Sequence, residues 1–337
     1  MSYWLMFFGF FFISFFLRNK FGDNLIILTL TVIAGFIAPG VSQDYYNYFN
    51  GYYLSSPVLF PEPFSKLIFR ITSLLDQPVT ISFIIFAIIS MYIKRKALIK
   101  LEVPIAIFFL VYFSKLYLLL DLTQVRAGVA IAFCLLAVYE YINNHKKWCF
   151  IYIAIGFFFH FSAIMMLAVF FVGKKKPNTI IWLTLAFLAM FLTLFDLKQM
   201  LYSILYIIHA PANYLVYLNE QSDFKVNPFS ALSIINFIIF FLFSFNRSLL
   251  DDALSNVCYK LYGVSIISFY MFINFPVLSF RISEFFLIYQ VVLLAKYYKN
   301  VNVGLRGFYL LILLFFSAFQ LYITFNIAGI ILPYEFV

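Results

Sequence analysis

The sequence predicts an all-α, polytopic integral membrane protein, and three observations carry that expectation. Of 337 residues, 65% are hydrophobic and 11% charged, against about 25% charged and about 45–50% apolar in a soluble domain. Mean hydropathy is +0.98, and several apolar runs reach or approach the ~20 residues that cross a bilayer as helix. A water-soluble globule would have nowhere to put 48 Phe and 25 Tyr. In such a chain the net charge of +9 marks cytoplasmic loops. Nucleic acid is excluded as a partner.

Spans are expected at 3–17, 25–38, 79–93, 102–120, 125–142, 178–195, 228–245, 257–275, 282–297 and 306–325. No basic residue precedes the first, and Arg18 and Lys20 follow it, so it reads as a span and not a cleavable signal. The stretch 148–173 decides the topology: one helix, or two short ones broken near His160. With one span, the 23 Lys and Arg divide into 11 inside and 12 outside. With a hairpin, Lys174, Lys175 and Lys176 return to the cytoplasm, and 16 fall inside against 7 outside. That inner set includes Lys94, Arg95, Lys96 and Lys260. The positive-inside rule favours the hairpin.

The expected architecture therefore has about 11–12 membrane helices, counting a broken short-helix hairpin, in one domain over 1–337. Each arm has about a dozen residues, ~18 Å long, too short for a ~30 Å hydrocarbon core. Its tip, Phe159-His160-Phe161, stops partway and implies a cavity with His160 at its floor. Two external loops are long: 40–77, holding Asp44, a tyrosine-rich run and Pro61-Glu62-Pro63, and 196–227. In the second, Lys198 to about Ala210 reads as an amphipathic surface helix ahead of Pro211.

Ionisable residues at the outer face or inside spans are the functional candidates. Arg126 opens a span in Asp121-Leu122-Thr123-Gln124-Val125-Arg126-Ala127-Gly128, where small residues permit close approach; the plain alternative is an interfacial, snorkelling arginine. Arg281 stands three residues before Glu284 and either pairs with it or binds an anion. Two arginines from different helices suit a pyrophosphate, because guanidinium grips phosphate oxygens in a bidentate fork. His160 is either a satisfied core residue or an acid/base group, and His209 has less support. Asp44 and Glu62 lie nearest the aromatic run, whose Tyr45 and Tyr48 either stack on sugars or form an interfacial belt. A hydroxyl nucleophile needs a base, and carboxylate or imidazole can serve.

Some signatures are missing. There is no phosphate loop ending Gly-Lys-Ser/Thr and no His-Glu-x-x-His, and the outer loops carry no Asp-x-Asp. Asp251-Asp252 fall on the inner side. Cys134, Cys149 and Cys258 suggest neither a disulfide framework nor a metal site. No metal and no cofactor are expected.

Asp44 followed by tyrosines, Pro61-Glu62-Pro63, Gln124-Val125-Arg126-Ala127-Gly128, His160-Phe161-Ser162-Ala163 and Arg281-Ile282-Ser283-Glu284 occur in that order. Over roughly 40–290 this pattern resembles the EpsG/Wzy type of bacterial polysaccharide polymerases. The resemblance implies a GT-C-like helical fold in the inner membrane, with its site facing the periplasm or exterior. It implies joining of undecaprenyl-pyrophosphate-linked glycan repeat units, as in O-antigen, without metal or nucleotide sugar. Arg126 and Arg281 would hold the donor pyrophosphate and His160 would be an acid/base or orienting group. Asp44 and Glu62 would sit by the acceptor, with Gln124, Tyr45, Tyr48 and Glu284 as further substrate contacts. Membrane lipids and a chain-length regulator are the other implied partners.

Competing classes fit less well. A flippase wants a charged tunnel between two similar halves, and no duplication is visible. A proton-coupled transporter wants acids in mid-span, whereas these acids cluster at loops. A membrane O-acyltransferase commonly has Arg two residues before its His, and here that residue is Phe158. An O-antigen ligase shares fold and donor, and sequence separates it poorly.

Overall fold

The computed structural model describes residues 2–17, 19–42, 44–53, 61–195, 203, 206–207, 226–246, 248–327 and 331–335. Among these the chain is helical, without a β-strand; one isolated antiparallel bridge joins Ser42 to Ile331. The helices are α1 Ser2–Phe16, α2 Lys20–Gly35, α3 Tyr45–Tyr53, α4 Pro63–Thr72, α5 Pro78–Lys100 and α6 Ile105–Leu120. They continue as α7 Val125–Ile142, α8 Lys146–Phe159, α9 Phe161–Val172, α10 Thr179–Leu192, α11 Ala231–Phe245, α12 Ala253–Met271, α13 Pro276–Asn300 and α14 Arg306–Asn326.

Local chemistry sets the boundaries. Pro63 and Pro78 open α4 and α5 at the first turn, where a missing N–H costs nothing. Asn178, Ser230 and Asp252 cap α10, α11 and α12 by accepting from first-turn amides. Gly173, at φ +67°, follows α9 in the left-handed conformation that ends many helices.

Every expected span coincides with a helix. Among the described residues, four helical segments are long and apolar enough to cross a membrane by length and composition: Pro78–Lys100, Val125–Ile142, Pro276–Asn300 and Val303–Asn326. Shorter apolar helices, among them Tyr3–Phe16, Ile105–Leu120, Phe161–Val172, Thr179–Leu192 and Ala231–Phe245, accompany them. This is a multi-pass, all-α membrane protein.

The chain divides into two compact units, 1–171 with 291–337, and 172–290. In the first, α5 and α7 form the centre, with α2 on α5 and α8 on α7. The helix break expected near His160 is present. α8 ends at Phe159, His160 is extended (φ −157°, ψ 125°), and a 3-10 turn begins α9. The return arm doubles back on α8. A Cβ on Gly156 would stand 3.1 Å from the Ala130 carbonyl and 3.2 Å from Ala163 Cβ, so only a small residue lets the arms and α7 close. By Phe170 the chain lies against Tyr141, at the far end of α7.

The described residues of 40–77 include α3 and α4. Residues 331–335 brace the segment ahead of α3: the Leu332 amide donates to the Val41 carbonyl at 3.0 Å, and Ala38 donates to Glu335 at 3.0 Å. The run Lys198–Ala210, with Asp196 and His209, lies outside the described residues except for 203 and 206–207.

In the unit 172–290, α12 packs on α10 and α11. Phe240 stacks on Tyr259 at 4.9 Å, and a Cβ on Gly263 would lie 2.6 Å from the Trp182 ring. Gln290 Nε2 donates to Asn236 Oδ1 at 3.0 Å and Tyr262 Oη at 2.7 Å, the polar glue used where lipid leaves no apolar driving force. Lys260, expected above among the loop cations, is 4% exposed. Its Nζ donates to the carbonyls of Val172, Gly173 and Lys175, satisfying one carbonyl that α9 leaves open at its end and two in the turn that follows.

Lys94 requires a larger correction. Its place in Tyr92-Ile93-Lys94-Arg95-Lys96 reads as a solvated loop cluster, yet it is 0% exposed and paired with Asp121 at 2.8 Å. The helical repeat explains the error: Lys94 faces the interior with Ser90, while Arg95 and Lys96 face away. The charge asymmetry survives its removal.

The α6–α7 turn is packed to its limit at Gly128. A Cβ there would meet the Leu120 carbonyl oxygen at 2.6 Å and Asp121 Oδ1 at 2.8 Å. Gly128→Ala is therefore expected to destabilise by about 1–3 kcal/mol, the usual penalty of overpacking. A lowered melting temperature of the purified protein would show it; an unchanged one would mean the turn relaxes freely.

Candidate functional site

The Asp121–Gln124 turn brings α7 back into the bundle. Leu120, Asp121, Leu122, Thr123 and Val125 are all buried, and the turn is closed by backbone bonds from Leu122 to Tyr117 and Gln124 to Leu119. Ser90 Oγ reaches Asp121 Oδ1 at 2.6 Å. Ser90 follows Pro78, the first residue of α5, by twelve positions, about 18 Å along the axis. α7 thus begins deep beside α5, and its first-turn amides and Arg126 are set there together. A helix N-terminus favours anions through its exposed N–H groups and dipole.

Arg126 reaches from this recess to the two short helices of 40–77. Its Nη1 is 2.5 Å from Glu62 Oε2 and its Nε donates to Tyr48 Oη at 3.3 Å. The guanidinium also lies 5.7 Å from the centre of the Tyr48 ring. Glu62 is 4% exposed and Tyr48 3%. The interfacial, snorkelling arrangement considered for Arg126 would not place a buried carboxylate and a buried phenol on one guanidinium. Burial pushes the Tyr48 phenol up from its ordinary pKa, with Asp44 and Glu62 adding to the rise and Arg126 opposing it. Tyr48 remains a neutral phenol at physiological pH.

Asp44 belongs to this cluster electrostatically. It is half-buried and accepts from Asn47 Nδ2 at 3.2 Å. Tyr45 is 4% exposed and packs on Phe83 at 5.5 Å, as Tyr48 does at 5.2 Å. These rings are core residues that fix α3 to α5, whereas Tyr46, at 56% exposure, turns its ring to solvent. Gln124 is half-buried at the N-cap position of α7.

His160 is held one helix away. Its Nδ1 is 2.6 Å from Ser162 Oγ and accepts from the Ser162 amide at 3.3 Å, which leaves the ring proton on Nε2. The residue before it is tied to α4, since Ser65 Oγ donates to the Phe159 carbonyl at 2.8 Å and Phe64 packs on Phe158 and Phe159. Glu62, at the N-cap position of that same short helix, thereby shares a support with the hairpin tip. Arg281, exposed, and Glu284, half-buried one turn on, lie on α13 in the unit 172–290.

Beneath Arg126 lies a group of residues that sequence reasoning did not assemble. Asp121 takes Lys94 Nζ and Ser90 Oγ on Oδ1, and Tyr112 Oη on Oδ2 at 2.6 Å. The clue was Asp121 itself: an acid ending an apolar run of that length needs a buried cation. Among the described residues, no group of three or more His, Cys, Asp or Glu side chains is placed to hold a metal ion.

No curated protein and no solved structure matches the chain. Residues 20–336 match the EpsG family, which takes in every element from α2 to the bridge at Ile331. The chain belongs to the EpsG family.

Proposed function

We propose that this polysaccharide polymerase joins oligosaccharide repeat units carried on undecaprenyl pyrophosphate, at the external face of the bacterial inner membrane and on a GT-C-like scaffold. The observation that carries the reading is the Arg126–Glu62–Tyr48 cluster at the recessed start of α7. Glu62 serves as the counter-ion of Arg126. A pyrophosphate oxygen arriving there would take its place and find the helix N-terminus behind it.

Release of Glu62 from Arg126 as the donor binds would leave a carboxylate beside the acceptor, with Asp44 next to the same phenol. Either can take the proton of the attacking hydroxyl; Asp44, half-buried, is the more accessible. His160, with its proton on Nε2, suits orientation of the sugar or donation to an oxygen. Arg281, in the unit 172–290, is a second candidate phosphate ligand in its own right, with Glu284 one turn on to orient it. Charge grows on the leaving pyrophosphate as the glycosidic bond breaks, and fixed cations stabilise that developing charge.

Purified protein given lipid-linked repeat units should lengthen them, and should do so in EDTA. Products are read as a ladder on a gel. Activity lost in EDTA and restored by Mg²⁺ or Mn²⁺ would overturn the metal-independent mechanism. In cells, a deletion strain that caps its acceptor with one repeat fits loss of a polymerase. A bare acceptor with accumulated long lipid-linked chains would indicate a ligase instead.

A further inference from the structure

The buried ion pair under the site has more structure than stability requires. Lys94 Nζ donates to Asp121 Oδ1 at 2.8 Å, to the Gly128 carbonyl at 3.1 Å and to Ser90 Oγ. It also lies 5.3 Å from the centre of the Tyr112 ring. With Ser90 and Tyr112 on the carboxylate, the ammonium and both carboxylate oxygens all have partners. Three helices are pinned at one point: α5 through Lys94 and Ser90, α6 through Tyr112, and α7 through Gly128.

Desolvating two charges is expensive, and buried pairs are often replaced by apolar residues with no loss of stability. What such a pair can supply is a single geometry. Here the geometry it fixes is that of α7, at a carbonyl two residues from Arg126. Each residue turns an α-helix by about 100°, so a slip of one residue would carry the guanidinium away from Glu62 and Tyr48. A Cβ at position 128 would press on both the turn and the Asp121 carboxylate, which makes Gly128 part of the same device.

We propose that Lys94 and Asp121 are positioning residues that set the height and rotation of α7 and so aim Arg126 at the donor pyrophosphate. The second half of this statement rests on the function proposed above; the first does not. Neither residue touches substrate.

The test uses the full chain in lipid nanodiscs and replaces both charges at once, Lys94→Met with Asp121→Leu, so that no lone charge is left buried. Three quantities are read: melting temperature, elongation kinetics on a polyprenyl-pyrophosphate-linked oligosaccharide, and the rate at which a soluble maleimide labels Gln124→Cys placed in each background. Cys134, Cys149 and Cys258 are buried and supply a low labelling background. Elongation is measured without the added cysteine.

The expected result is an unchanged melting temperature, faster labelling at position 124, and kcat reduced about 10- to 100-fold with a smaller effect on KM, the size of loss that a misplacement of about 1 Å produces. Unchanged labelling with unchanged kcat would overturn the proposal and leave the pair as packing. Faster labelling in a protein whose wild type elongates nothing would support the positioning of α7 and overturn the polymerase reading. Should the double variant fail to fold, Ser90→Ala with Tyr112→Phe removes two hydrogen bonds to Asp121 and keeps both charges; the same readouts then decide.

Discussion

Arg126→Lys is expected to slow chain elongation about 100-fold or more while membrane abundance stays near that of wild type. A 100-fold loss corresponds to roughly 2.7 kcal/mol of transition-state stabilisation, within the range that single preorganised groups supply. Lysine keeps the charge and so keeps Glu62 neutralised, which protects folding. It cannot keep the fork: Arg126 uses Nη1 for Glu62 and Nε for Tyr48, two directions from one rigid plane. A lysine ammonium is a point donor on a flexible stem. The measurement is the initial rate of repeat addition with purified protein, normalised to the folded fraction on size exclusion. A variant that folds and elongates at the wild-type rate would remove Arg126 from the site and leave its pair with Glu62 as a tie between α7 and α4.

How far the sequence anticipated this arrangement differs between its parts. The helices were legible because an apolar run of bilayer length must satisfy its own backbone, which a helix does within one segment. The break at His160 followed from applying the positive-inside rule to Lys174, Lys175 and Lys176. Arg126 and Glu62 were both legible as charges in the wrong place, but not as partners. They are 64 residues apart, and nothing local says that α3 and α4 bring Tyr48 and Glu62 to the start of α7. The tyrosines misled for a related reason. Composition marks a Tyr-rich loop as a surface feature, whereas Tyr45 and Tyr48 are buried through contacts with Phe83, on a helix distant in sequence.

Lys94 was the costliest misreading, since a basic cluster at a helix end is ordinarily solvated. Only the direction of each side chain around α5 separates Lys94 from Arg95, which reaches Asn24 Oδ1 at 2.9 Å on an exposed surface. A one-residue difference in phase on a helix is invisible to a charge count. It becomes visible once Asp121 is asked for its counter-ion.

The single substitution Lys94→Met should therefore be among the most damaging in the protein, and by a different route from Arg126→Lys. It leaves the Asp121 carboxylate buried with hydroxyl donors alone, Ser90 and Tyr112, and removes the bond that Gly128 receives from α5. Breaking one side of a buried pair costs about 3–5 kcal/mol, a large share of the stability of an ordinary domain. Expression as a fluorescent fusion should show loss of the monodisperse peak and of membrane abundance. Adding Asp121→Leu to the same chain should restore folded protein, because the cost lies in the stranded charge and not in the missing contact. A Lys94→Met protein that melts with the wild type would mean that Asp121 takes up a proton or water at little cost, and the pair would then have no claim on the stability of the fold.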